Sequence, residues 1–103
     1  MFVVRVSLKI QSSHGEAFRA YAASEGLEPR KLPGCVEYSF CEDLAEPLRV
    51  LLYEEWASRP EFEAYKASSF FAATGTRLRG MLAEPPRSAY YESDDVFAAC
   101  ALR

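Results

Sequence analysis

The sequence predicts an α+β fold in which one four-stranded antiparallel sheet carries two helical regions on one face. Three observations predict it. Four short segments read as strands, two of them by strict alternation of apolar and polar residues. Two other segments carry apolar residues at helical spacing behind S-x-x-E signals. The resulting order is strand, helix, strand, strand, helix, strand, the split βαβ or ferredoxin-like arrangement.

Phe2, Val4, Val6, Leu8 and Ile10 alternate with mostly polar partners and form the first strand. Ser13 and Glu16 then stand at the spacing of a capping box, in which each side chain bonds the other residue's free backbone N–H. Phe18, Tyr21 and Ala22 share one face of the helix that follows, and Gly26 is its expected stop. Pro33-Gly34 signals a turn. Val36, Tyr38 and Phe40 then alternate with Glu37 and Ser39 in the second strand. Glu42 to Pro47 reads as a polar loop.

The third strand, Arg49 to Trp56, is apolar at both parities in its centre: Val50 and Leu52 on one, Leu51 and Tyr53 on the other. A strand wet on one side would not need that. Helices cover one face of the sheet, and a second copy of the chain is the simplest cover for the other, since symmetric dimers are the commonest oligomers. The expected assembly is therefore a homodimer, a dimeric α+β barrel. A second capping box, Ser58 with Glu61, opens the next helical region, and Pro60 suits its first turn. Phe62, Tyr65 and Ser69 follow at helical spacing, then Phe71, Thr74, Leu78 and Met81 after a break near Ser68 to Phe70. Pro85-Pro86 ends the region, and Ser88 to Ser93 makes the last strand. Residues 1–93 form one domain, and 94–103 form a tail whose Val96, Phe97 and Leu102 suggest that it docks.

At 103 residues the chain is long enough for one small domain. Half of it is hydrophobic, which is too apolar for a disordered chain. Its net charge of -3 and lack of a basic patch argue against nucleic acid. No run approaches the length of a membrane span, and the alternating N-terminus does not read as a signal core. No membrane partner and a cytoplasmic location are therefore expected. Cys35, Cys41 and Cys100 fit no zinc spacing and are expected as free thiols. Cys35 and Cys41 share the parity of one strand face, so packing is their expected role. His14, the only histidine, falls in the first turn of a helix and reads as a surface residue.

Three segments carry a resemblance to a known family. Leu32-Pro33-Gly34-Cys35-Val36-Glu37-Tyr38 matches its "PGC…Y" approach to the second strand. Leu52-Tyr53-Glu54-Glu55-Trp56 matches its "YE-x-W" third strand. The helix from Phe62 to Phe71 matches the form "f-e-a-H-x-x-S-x-H-F". Together with the element order, residues 2 to about 93 resemble the antibiotic biosynthesis monooxygenase (ABM) domain family. That resemblance implies the dimeric barrel already read from the third strand. The family includes oxygenases that use no metal or flavin, quinol oxidases, haem-degrading enzymes and a sugar-phosphate isomerase, so it supports a fold more than a reaction. Both histidines of the helix motif are replaced, by Tyr65 and Phe70, and the chain has no asparagine. The polyketide oxygenases use an asparagine four residues before the tryptophan, where this chain has Leu52. The haem-degrading branch uses an asparagine on the first strand and a histidine ligand on the helix, and neither is present.

Leu52, Glu54 and Trp56 share one face of the third strand, because side chains alternate with period two. By resemblance this face looks toward the helices and lines a pocket with Tyr65, Phe71, Tyr38 and Tyr21. Such a pocket suits a small aromatic molecule such as a phenol, a quinol or a polyketide. The expected activity is monooxygenation or quinol oxidation with molecular oxygen and without a metal or other cofactor. Glu54 is the expected base, because burial beside Trp56 raises its pKa toward neutrality. Tyr65 or Tyr38 donates to the substrate oxygen, Trp56 stacks on the ring, and Leu52, Phe71 and Tyr21 complete the pocket. Each residue also has a bland role. Trp56, Tyr65, Tyr38 and Tyr21 suit a core, and Glu54 suits an ion pair with Arg77 or Arg79. Two other functions stay open: an isomerase using Glu54 as base, and a non-catalytic dimeric ligand-binding or stress-response module.

Overall fold

The computed structural model describes residues 1–94, so the tail's expected docking and Cys100 lie outside the described residues. Strand β1 (Phe2–Lys9) is followed by a 3-10 turn at Ser12–His14 and helix α1 (Gly15–Ala22). A second 3-10 segment, Glu25–Lys31, leads into β2 (Cys35–Glu42) and β3 (Arg49–Trp56). Helices α2 (Arg59–Lys66) and α3 (Ser69–Arg79) precede β4 (Arg87–Glu92). The four strands form one antiparallel sheet in the order β2-β3-β1-β4. This is the expected ferredoxin-like α+β architecture, and the third strand has the expected bounds.

Alternation sets the faces. Val50, Leu52, Glu54 and Trp56 are buried toward the helices, while Leu51, Tyr53 and Glu55 on the other face are half-buried. Phe2, Val4 and Leu8 of β1 join the buried side with Phe18, Tyr21, Phe62 and Tyr65 from α1 and α2. The rings of Phe18 and Phe40 meet edge to face at 5.6 Å between centroids, fixing α1 on β2. The break between α2 and α3 falls where it was expected. Ser68 caps α3, its hydroxyl accepting the Phe71 N–H at 3.1 Å.

Local readings fail at four places. A β-bulge at Val36 shifts the register of β2, so Cys35 stands opposite Trp56 while Cys41 stands opposite Leu51. The two cysteines therefore lie on opposite faces, Cys35 packed against the core and Cys41 exposed. The same bulge exposes Val36, which was expected to share a face with Tyr38 and Phe40. Neither capping box forms. Ser13 instead bonds the His14 ring at 3.1 Å, and Ser58 caps α2 without a side-chain bond. Gly26 does not end α1 directly, because the 3-10 segment intervenes and Gly26 is buried against Tyr21 within it.

Candidate functional site

The sheet register places the site before any helix is considered. One ladder row reads Tyr38, Glu54, Val4, Tyr90 across β2, β3, β1 and β4. The next reads Phe40, Leu52, Val6, Ser88. These rows form a floor. Phe62 and Tyr65 of α2, with Phe71, Thr74, Gly75 and Leu78 of α3, form the roof. Between them lies a cavity of about 140 Å³. That is well below the roughly 300 Å³ at which drug-sized sites begin, and close to the roughly 150 Å³ that holds a benzene ring. A wider depression of about 390 Å³ between α1 and β2 is more open, and Arg19 and Glu42 on its wall already pair at 3.1 Å.

Glu54 is the one charged residue buried among the described residues, at 3 % exposure. Its Oε1 accepts the Trp56 indole N–H at 2.9 Å, which the shared strand face makes possible. That is its one side-chain hydrogen bond among the described residues, and Glu54 lines the cavity. Burial pushes the carboxyl up to about 7, with the Trp56 N–H pulling the other way. Neither Arg77 nor Arg79 pairs with it; Arg77 binds Glu25 instead.

Beside Glu54, the Tyr38 and Tyr65 hydroxyls bond each other at 3.0 Å. Burial raises both far above the ordinary phenol value, so both stay protonated, and one of the pair keeps its proton free to donate to a third group. The Tyr21 hydroxyl bonds the Thr74 hydroxyl, tying α1 to α3 across the cavity. Burial, with the Glu54 charge second, pushes the Cys35 thiol up to about 11, which suits packing rather than attack.

Six of the seven residues expected at the site line the cavity: Glu54, Tyr65, Tyr38, Leu52, Phe71 and Tyr21. Trp56 does not. It is fully buried behind them, and its ring stacks on Tyr65 at 5.2 Å, not on anything in the cavity. Its place is to hold Glu54 and Tyr65 in position. Sequence reasoning missed Lys66 on the cavity lining and named Arg79, also on it, only as an ion-pair partner for Glu54. The signal was available: Lys66 follows Phe62 at i+4, and Arg79 continues the spacing of Phe71, Gly75 and Leu78. Gly75, inside α3, costs the helix about 1 kcal/mol relative to alanine, and it lies where the Arg79 guanidinium folds back. Among the described residues no cluster of three or more His, Cys, Asp or Glu side chains could hold a metal ion, and no helix is long and apolar enough to cross a membrane.

A profile of the family described as antibiotic biosynthesis monooxygenase matches residues 1–77. The chain belongs to the ABM family. An ABM-like fold also appears in solved structures. A Deinococcus radiodurans protein, provisionally named an antibiotic biosynthesis monooxygenase, superposes with a TM-score of 0.86 at 19% identity, over 95% of this chain and 97% of that one. A conserved protein of Methanosarcina mazei gives 0.84 at 19% identity, over 90% and 92%. At such identities the likeness speaks to the fold alone. An uncharacterized protein of Synechocystis is 28% identical over 90 residues, 87% of this chain, and the match spans 61% of that relative's length.

Proposed function

We propose that this ABM protein oxidises a small electron-rich aromatic, a phenol or quinol, with molecular oxygen and without a metal or flavin. The observation that carries the reading is a single buried carboxyl, raised to about 7, on the wall of a cavity sized for one ring. A base is most useful when its pKa lies near the working pH. Glu54 takes the hydroxyl proton, and the resulting anion is rich enough in electrons to react with dioxygen. Tyr38 or Tyr65 donates to the charge that develops on oxygen. For a quinol the balance closes without another reductant: two electrons and two protons pass to dioxygen, giving quinone and hydrogen peroxide. The cavity's size favours a quinol or phenol over a fused polyketide.

The same reading includes a homodimer that covers the Tyr53 face of the sheet. It also includes a cytoplasmic setting, in keeping with Cys35 and Cys41 as free thiols.

Oxygen consumption with a panel of quinols and naphthols tests the activity. Uptake is expected, and Glu54→Gln should abolish it while leaving the fold intact, since the amide oxygen still accepts the Trp56 N–H. Full activity in that variant would remove Glu54 from the base role. Unchanged oxygen with a product of equal mass would point to an isomerase. Ligand-induced stabilisation without turnover would point to a binding module.

A further inference from the structure

The cavity has a feature that proton removal does not use. Its interior is apolar or neutral apart from Glu54, yet its rim holds two cations, Lys66 at the end of α2 and Arg79 at the end of α3. Neither makes an ion pair with any described residue. Arg77, two residues before Arg79, is by contrast bound to Glu25. Cations at helix C-termini also offset the helix dipole. What sets this pair apart is that two helices bring both charges to one opening.

Each charge is seated there. The Lys66 ammonium stands 5.6 Å from the Phe62 ring centroid and 5.7 Å from that of Tyr90. The Arg79 guanidinium folds back over Gly75, where a Cβ would stand 3.3 Å from its Nη1. A side chain at position 75 would require the guanidinium to shift by a few tenths of an ångström. Neither cation pairs with Glu54, whose carboxylate accepts the Trp56 N–H instead. A buried base and two unpaired cations thus line one small cavity.

We infer that the cavity takes a single-ring phenol or quinol bearing an acidic substituent, with a ring hydroxyl toward Glu54 and the substituent's anion held by Lys66 and Arg79. This rests on the oxidation reading for the hydroxyl's orientation, and its test reads binding instead of turnover. Calorimetry on the full chain compares 2,5-dihydroxybenzoate with hydroquinone at neutral pH and low salt. The acid should bind about tenfold more tightly, as two charge-assisted hydrogen bonds at an open rim allow. The preference should shrink as salt is added. The double variant Lys66→Gln/Arg79→Gln should bring the two affinities together. If it fails to fold, each single variant should lose part of the preference. Equal affinities in the unmodified protein, no binding of either compound, or a preference that survives these substitutions would overturn the assignment. Oxygen uptake is followed separately. An acid preference without uptake removes the oxidase reading and leaves this one standing; uptake without an acid preference does the reverse.

Discussion

A carboxylate held at 3 % exposure lacks most of the hydration that would stabilise its charge in water, and Glu54 recovers only one hydrogen bond, from Trp56. The folded protein therefore binds this proton more tightly than the unfolded chain does. Between about 4.5 and about 7 the folded state keeps a proton that the unfolded chain has lost. Stability should fall as pH rises through that window and level off above it. At about 1.4 kcal/mol per pKa unit, the loss is about 3 kcal/mol. Urea unfolding from about pH 5 to about pH 8 should show this decline, and Glu54→Gln should remove it. Identical pH profiles for the two proteins would contradict the raised pKa. Trp56→Phe tests the other side of the balance. Without the indole N–H the carboxylate loses its one stabilising contact, so the pKa rises further. The acidic limb of any rate profile should then move to higher pH, and a limb that stays in place would mean the indole does not tune Glu54. The neighbourhood of these two residues was legible in the sequence because strand side chains two apart share a face. That Trp56 stands behind the wall was not, because depth depends on what α2 lays over the strand.

At the scale of elements, β2 and its approach depart furthest from the local pattern. Strict alternation would put Cys35 and Cys41 on one face, and the bulge at Val36 separates them by inserting one unpaired residue. Just before it, Gly34 has φ of +81 and faces the Glu61 carboxyl on α2. Glu61 thus packs over the turn instead of completing the expected capping box. A side chain at position 34 would meet both the left-handed backbone and that carboxyl. Gly34→Ala should cost about 2 kcal/mol or more, a fall in melting midpoint on the order of 10 °C. Adding Glu61→Ala should recover part of it. A Gly34→Ala protein that melts with the unmodified one would show that neither constraint operates. The helices were easier to read. Their apolar spacing and the break at Ser68 are local properties, whereas the placing of Lys66 and Arg79 on one cavity depends on how α2 and α3 pack against the sheet.

For the whole molecule, the helices account for one face of the sheet. On the other, Val3, Leu51 and Tyr53 are half-buried and Tyr91 is exposed. A second sheet packed there would bury these residues and keep β3 dry on both sides. Light scattering at micromolar concentration should give twice the chain mass of 11.6 kDa. Tyr53→Asp should shift the mass toward that of one chain by placing an unpaired charge at the contact. A single-chain mass for the unmodified protein would remove the barrel assembly while leaving the ferredoxin-like chain fold untouched.

The element order, the bounds of β3 and the faces of β1 and β3 were legible in the residue pattern alone. Each of these follows from period-two or helical spacing, which is carried by residues near one another in the chain. The bulge in β2, the withdrawal of Trp56 from the cavity, the one-ring volume and the presence of both Lys66 and Arg79 on its lining came from packing instead. Those depend on how far apart packed elements come to rest and on which partners each charge finds. Both are set by contacts between residues distant in sequence, which no periodicity records.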